Sequence, residues 1–385
     1  HKHHCTFCGL NGSVLDFRSK DPALFREEIV DLVRRHQVLD LFVVDNILDM
    51  RYLRSLVPQL ADAGYDLRLQ YEIKSNLDGD QLRSLAAAGI VTVQPGIESL
   101  HSRVLQLMSK GVTGCRNVRM LRDSCDAGVT VSWNYLCGFP GEEAEDYLSI
   151  VGQMPALHHL PPPARATRIV IERFSPLFDE PGRGFTGLSP DPQYALIHDL
   201  PERELMDLAY LFSAPLRGIG QDVLERVRAA TDRWGAEHPR SRLSHQDLGD
   251  SILLVSDRSG FAWSVMHLTD PLRVAAFRLL ERPRTPEHLA HELVEAGFLP
   301  CDGARERVEG LLADWSAAGI VFTESGTYVH VVPAAANQEL LRFVLREDEP
   351  DSTAEESGSH RRERTGPENG APESGTPEGS LACAR

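Results

Sequence analysis

Cys5-Thr6-Phe7-Cys8, set between His4 and the turn Gly9-Leu10-Asn11-Gly12, is the stretch on which the reading of this chain depends. Two cysteines separated by two residues bring two soft thiolates within reach of one metal centre. The spacing alone is shared by redox dithiols and by half of a zinc site. His3 and His4 could complete such a zinc site with Cys5 and Cys8, although adjacent histidines rarely both ligate one ion. The aromatic before the second cysteine, the glycine turn after it and the α/β pattern downstream sharpen the signal.

The chain has 385 residues, 42% hydrophobic and 25% charged, which allows two domains of ordinary globular composition. No run of about eighteen apolar residues is present that could span a bilayer, and the opening residues show no trace of a signal peptide. The formal net charge of −16 argues against nucleic acid as a primary partner, because phosphate binding needs a basic face. Seven cysteines, odd in number and scattered, are no disulfide framework and suit a reducing cytoplasm in which thiolates stay free for a metal.

Over residues 1–175, short β-branched runs alternate with longer amphipathic ones. Strands are predicted at 39–44, 66–73, 90–93, 130–136 and 167–171, with helices at 22–36, 51–63, 78–88, 113–127 and 143–154 between them. Asp21 is placed to cap the first helix, with Pro22 at its first position. Strands separated by helices of this length imply parallel βαβ units. A partial barrel and an open doubly wound sheet both fit that pattern. Polar residues follow the strand runs, where the chemistry of parallel strands gathers. They are Asp45-Asn46, then Glu72 with Lys74-Ser75-Asn76, then Gln94-Pro95-Gly96-Ile97-Glu98-Ser99, then Asn134 with Gly138-Phe139-Pro140-Gly141-Glu142. Any one set could merely satisfy loop backbone, but their succession is harder to dismiss. A mouth lined this way could hold the ribose hydroxyls, amino group and carboxylate of a nucleoside ligand.

The loop His3–Gly12 resembles the cluster loop of radical S-adenosylmethionine (SAM) enzymes. More narrowly, it looks like that of the RiPP maturation radical SAM proteins, which mature ribosomally made peptides. The Gly96–Ser99 and Gly138–Glu142 segments are similar to strand-end motifs of many radical SAM enzymes. Lys110-Gly111 fits the family's Lys-Gly step, and Arg173-Phe174-Ser175-Pro176 keeps its Arg-x-Ser-Pro order. The resemblance implies a partial (β/α)6 barrel lacking its first strand and a [4Fe–4S] cluster held by three cysteines, Cys5 and Cys8 among them. In the family the first cysteine lies upstream in a Cys-Trp-Trp-Gly context, so the chain is expected to begin after it and, with two cysteines, to hold a cluster poorly. Phe7, Asp45, Glu72, Gln94, Glu98, Asn134 and Gly138 are the SAM contacts so implied. In the resembled chemistry one electron from the cluster cleaves SAM to methionine and a 5′-deoxyadenosyl radical. The implied partners are a precursor peptide and an electron donor such as a ferredoxin or flavodoxin. Family members commonly carry a cobalamin-binding domain before the cluster loop, which brings cobalamin-dependent C-methylation into the expectation.

Beyond the barrel, 176–247 reads as a helical extension near the mouth. Residues 248–333 read as a winged-helix-like α+β domain: two strands around Asp257-Arg258-Ser259-Gly260, three helices, and a hairpin about Ser325-Gly326. That domain lacks a basic recognition face, so recruitment of a peptide leader is the expected role and a structural cap the alternative. The acidic tail 346–385 cannot bury enough apolar surface to fold and is expected to be disordered. Two other functions remain open: a catalytically inactive peptide- or nucleoside-binding protein on the same scaffold, and a tRNA-modifying radical SAM enzyme, which the acidic charge disfavours.

Overall fold

Short runs in which alternate side chains are apolar build the central sheet. β1 (Asp40–Phe42), β2 (Arg68–Glu72), β3 (Ile90–Gln94) and β4 (Thr130–Val131) lie side by side in that order, every pair parallel. The computed structural model describes residues 4–10 and 17–335, all within one compact unit, His1–Gln338. His3, Asn11, Gly12 and the tail expected to be disordered lie outside the described residues.

The run expected as one strand at 130–136 is broken. The Ser132 N–H still bonds the Val93 carbonyl at 2.9 Å, but pairing resumes only at β5 (Tyr135–Cys137), which runs parallel to β6 (Ala166–Arg168). A parallel bridge between Glu98 and Tyr135, with the Leu136 N–H on the Glu98 carbonyl at 2.8 Å, carries the sheet across the break. Among the described residues, neighbours from β1 to β6 therefore follow chain order. A doubly wound sheet would reverse that order at a switch point; none occurs here, and the α/β architecture is the barrel-like one. The arc is partial, because β1 has one strand neighbour among the described residues.

The two-residue period of a strand assigns each side chain to a face. Leu69, Tyr71, Val93, Tyr135 and Cys137 are buried. Gln70, Glu72, Thr92, Gln94, Asn134 and Leu136 alternate with them on the inner face and remain part-exposed. Helix Pro22–His36 precedes β1, and helices Leu56–Ala63, Gly79–Ala87 and Gly114–Ala127 connect the strands. The first is capped by Asp21, whose carboxylate accepts from the Ala23 N–H at 2.9 Å, and the third by a capping box between Asp78 and Gln81. Trp133 meets Trp234 of the helix Gln221–Glu237 edge-on at 5.9 Å, closing the core behind β5.

The last expected barrel strand, 167–171, also splits. After β6 the chain changes partner: β7 (Ile171–Glu172) runs antiparallel to β9 (Leu211–Ser213), which also pairs with β8 (Ser189–Pro190). Farther on, β10 (Leu243–Asp247), β11 (Ile252–Ser256) and β12 (Val265–Leu268) form an antiparallel sheet. Helices Pro271–Leu279, Pro286–Glu295 and Ala304–Ala317 follow, then the hairpin of β13 (Val321–Glu324) and β14 (Thr327–His330). β10 thus joins a sheet that the expected boundary at 248 would cut.

This hairpin is fastened to the outer helices of the arc. The Glu324 carboxylate accepts from the Ser102 N–H at 2.9 Å, and Gln153 exchanges hydrogen bonds with the Thr323 backbone at 2.9 and 3.0 Å. Buried Arg122 donates to the carbonyls of His330 (3.0 Å) and Glu281 (2.8 Å). Buried Arg258 joins the Ala156 and Gly319 carbonyls, both at 2.8 Å.

Candidate active site

The cysteine loop is seated by backbone bonds. The Cys8 N–H closes a turn on the Cys5 carbonyl at 3.2 Å. Thr6 is buried and anchors the loop on the helix Ser102–Leu107: its N–H bonds the Met108 carbonyl (3.0 Å) and its hydroxyl the Leu107 carbonyl (3.1 Å). The Thr6 carbonyl in turn accepts from the Leu177 N–H at 2.9 Å. His4 directs Nε2 at the Cys8 carbonyl, 2.8 Å away. Among the described residues no group of three His, Cys, Asp or Glu could hold a metal ion.

Gly9 is required by close approach. A Cβ there would lie 2.1 Å from the Arg173 carbonyl oxygen and 2.7 Å from the Tyr210 hydroxyl. Its N–H donates to Glu172 Oε2 at 2.7 Å, and the Tyr210 hydroxyl lies 3.4 Å from the same oxygen. Burial pushes the Cys8 thiol up to about 11, and the carboxylate of Glu172 adds to the rise while Lys110 opposes it.

From the loop a line of groups runs onto the inner face of the strands. Phe7 meets Phe139 edge-to-face at 5.8 Å, and Lys110 Nζ stands 5.8 Å over the Phe7 ring. Lys110 Nζ is 3.5 Å from Glu98 Oε1. Gly96, at φ +52°, leaves the room: a Cβ there would come within 3.1 Å of that nitrogen. Glu98 itself sits at φ +58°, which points its backbone toward β5 and its carboxyl toward Lys110. Burial holds the carboxyls of Glu98 and Glu72 above the usual range; the charge of Glu98 adds to the rise at Glu72, while Lys110 restrains it at Glu98. Gln94 stands opposite Glu72 in the strand register.

Gly138, at φ +98°, begins a turn organised by Glu142. The Glu142 carboxylate accepts from the N–H groups of Gly138 (2.8 Å), Phe139 (3.0 Å) and Ile219 (2.9 Å) and from the Tyr147 hydroxyl (2.5 Å). Asn134 shares the inner face by alternation, part-exposed. Asp45 is placed differently, since it accepts from the Tyr71 hydroxyl, whose ring belongs to the buried, helix-side face. The structure thus gathers Cys5, Cys8, Phe7, Glu72, Gln94, Glu98, Asn134 and Gly138 at the carboxyl ends of the strands and turns Asp45 to the other side. Cys137, beside the turn, is buried, and burial pushes its thiol up to about 12, with the Glu142 carboxylate adding to the rise.

Glu172 and Tyr210 are the site residues that reading the sequence did not find. Glu172 carried the same signal as the others, a polar residue closing a strand run. Tyr210 carried none, because β9 reaches the loop only through antiparallel pairing.

A thiolate-bound iron centre fits these residues in part. The loop offers two part-exposed cysteines, no Cβ at Gly9 and a nearby cation at Lys110. It supplies two of the three sulfurs that a cluster with one open iron needs.

Residues 2–153 match the sequence model of the Radical SAM superfamily. The chain therefore carries a radical SAM domain, which implies a [4Fe–4S] cluster and SAM. No curated protein matches the chain. Among solved structures, the cobalamin-dependent SAM radical enzyme OxsB with aqua-cobalamin is similar at 14% identity and TM-score 0.37, over 54% of this chain and 29% of that one. TsrM from Kitasatospora setae, a radical SAM methyltransferase solved with tryptophan and aza-SAM, is similar at 18% identity and TM-score 0.46, over 61% and 50%. HemN from Escherichia coli, a radical SAM coproporphyrinogen III oxidase, is similar at 13% identity and TM-score 0.33, over 89% and 86%. The chain thus spans about half of TsrM and less of OxsB. No helix among the described residues is long and apolar enough to cross a membrane.

Proposed function

We propose that this chain forms the catalytic barrel of a radical SAM enzyme that modifies a ribosomally made precursor peptide. The observation that carries the reading is the seating of the Cys5–Cys8 loop at the carboxyl ends of β2, β3 and β5, in line with Lys110, Glu98 and Glu72. Cys5 and Cys8 would hold iron, and the cluster, when bound, supplies the electron that cleaves SAM. Glu98, Glu72, Gln94 and Asn134 line the inner face and would bind the amino group and hydroxyls of SAM. Lys110 stands beside Phe7 and Glu98, where it would orient one carboxylate. Phe7, Phe139 and the Glu142 turn keep the loop in place. The likeness of the loop to peptide-maturing members supports a peptide substrate, and methyl transfer with cobalamin is the form of the chemistry that the same likeness supports.

The test uses the full-length protein, reconstituted without oxygen. It should bind about four irons with a broad absorbance near roughly 400 nm and release 5′-deoxyadenosine from SAM under a low-potential reductant. Cys5→Ala and Cys8→Ala should each abolish both, and added cobalamin should be needed for any methylated peptide. Stoichiometric zinc in place of iron would sink the reading. Protein that takes up no iron and cleaves no SAM would decide for a cluster-free binding protein on the same scaffold.

A further inference from the structure

Phe174 sits where a glycine would be expected. The Ser175 N–H closes a turn on the Glu172 carbonyl at 3.1 Å, with Arg173 and Phe174 at its centre, and Phe174 takes φ +68°. A positive φ at the third position of a turn favours glycine or asparagine, and for a bulky side chain it is strained. Among the described residues, the other non-glycine residues with positive φ are Gln37, Ser109 and Ser325, polar residues at turns, and Glu98 of the proposed site. Phe174 is the one apolar residue among them.

The surroundings force this conformation. Arg173 is held on one side: its N–H bonds the Tyr210 carbonyl at 2.7 Å, its Nε bonds the Ala209 carbonyl at 2.7 Å, and its guanidinium lies over the rings of Phe178 (5.3 Å) and Phe212 (5.0 Å). Ser175 is held on the other, fully buried with its hydroxyl on the Glu172 carbonyl at 2.7 Å. The Arg173 carbonyl lies against Gly9 of the cysteine loop, and the Glu172 side chain bonds the Gly9 N–H. The turn is therefore part of the mouth. The strain is not offset by burial in the core, because Phe174 is left 47% exposed. Val170, which immediately precedes β7, is 45% exposed as well. A single exposed apolar residue needs no explanation. One exposed aromatic held in a disfavoured backbone conformation, on the turn that carries a carboxylate of the site, does: strain of this kind persists where the ring has work to do.

We propose that Phe174 is a specificity-determining residue that receives an apolar, preferably aromatic, side chain of the substrate at the barrel mouth. The proposal rests on the reading of this mouth as the place of modification, and it names the class of residue presented there.

The test compares the full-length protein with Phe174→Gly, Phe174→Ala and Phe174→Leu. The Gly variant should unfold at a higher temperature than the Ala variant and no lower than the parent, because glycine accepts φ +68° freely. Saturation-transfer NMR with N-acetylphenylalaninamide should show binding to the parent, weakened roughly five- to tenfold in the Gly and Ala variants and largely kept by Leu. N-acetylserinamide should bind none of them. A Gly variant clearly less stable than the parent would make the ring a packing residue and overturn the proposal. So would a parent that binds no phenylalanine probe, or a Gly variant that binds it as well. Cleavage of SAM without peptide is followed in all four proteins. Its absence from all of them would sink the radical reading while leaving the probe result to judge Phe174.

Discussion

Gly9 shows how much one missing side chain decides. The residue is buried between the Glu172–Arg173 backbone and Tyr210, and a methyl group there would meet the Arg173 oxygen at 2.1 Å, far inside contact. Gly9→Ala should destabilise the protein by about 2 kcal/mol or more and, because it lifts the loop from Glu172, should lower iron retention in parallel. Gly64→Ala is the control: its φ is positive, +63°, but a Cβ there meets nothing within 4 Å, so about 1 kcal/mol is expected. Urea midpoints of the two variants check the difference, and equal midpoints would mean that the loop is not seated as described. The cysteines, Phe7 and this glycine were legible in the sequence because they are neighbours with a distinctive order. The part that Glu172 and Tyr210 play in seating Gly9 was not, because nothing local says that strands so far along the chain fold back on it.

At the scale of elements, alternation decided the barrel face and the turns decided the site. The inner-face residues Glu72, Gln94 and Asn134 could be named in advance because each ends or precedes a strand run with period two. The breaks at 132–134 and after Arg168 could not, since both come from a change of pairing partner rather than from composition. The turn Gly138–Glu142 was visible as a motif, but its working part was not: one of its bonds goes to the Ile219 N–H, 77 residues away. Glu142→Ala removes the acceptor of three buried N–H groups and a buried hydroxyl. It should cost on the order of 3 kcal/mol or more and loosen Phe139 from Phe7. Glu142→Gln, which keeps one acceptor oxygen, should cost less. Denaturant midpoints and the near-ultraviolet circular dichroism of the aromatic cluster would report both, and a loss below about 1 kcal/mol in the alanine variant would show that other contacts hold the turn.

At the scale of the whole molecule, the carboxyl-terminal elements complete the core of the arc. A chain cut before β10 would leave Arg122 and Gln153 without their partners in β13 and β14 and expose Ala156 and Ser102 to water, so it is expected to aggregate rather than to yield an active barrel; solubility of the fragment 1–242 checks this. The same boundary carries a cost under acid. His159 and His330 are fully enclosed between the arc and the hairpin, and burial drives both well below the ordinary imidazole value, with Arg258 beside the first and Arg122 beside the second adding to it. His245 and His158 are lowered too, again chiefly by burial. A histidine depressed in the folded state leaves stability intact above its unfolded value near ~6.5 and withdraws it as pH falls below that, because only the unfolded chain takes the proton. Asp126, raised to about 6 by burial, opposes this by protonating in the folded state, and Glu72 and Glu98 act in the same direction. The histidines begin to titrate at the higher pH, so net stability should fall between about pH 7 and 5.5. His159 isolates the effect: its Nε2 serves the Val331 carbonyl at 2.7 Å while Nδ1 is buried without a partner, so a second proton there would be an unpaired buried charge. His159→Gln can keep the bond to Val331 and cannot be protonated. Its stability should decline less steeply over that interval, by up to about 1.4 kcal/mol per pH unit, in urea titrations at matched ionic strength. A parallel decline in parent and variant would mean that His159 takes up its proton without unfolding the hairpin from the arc.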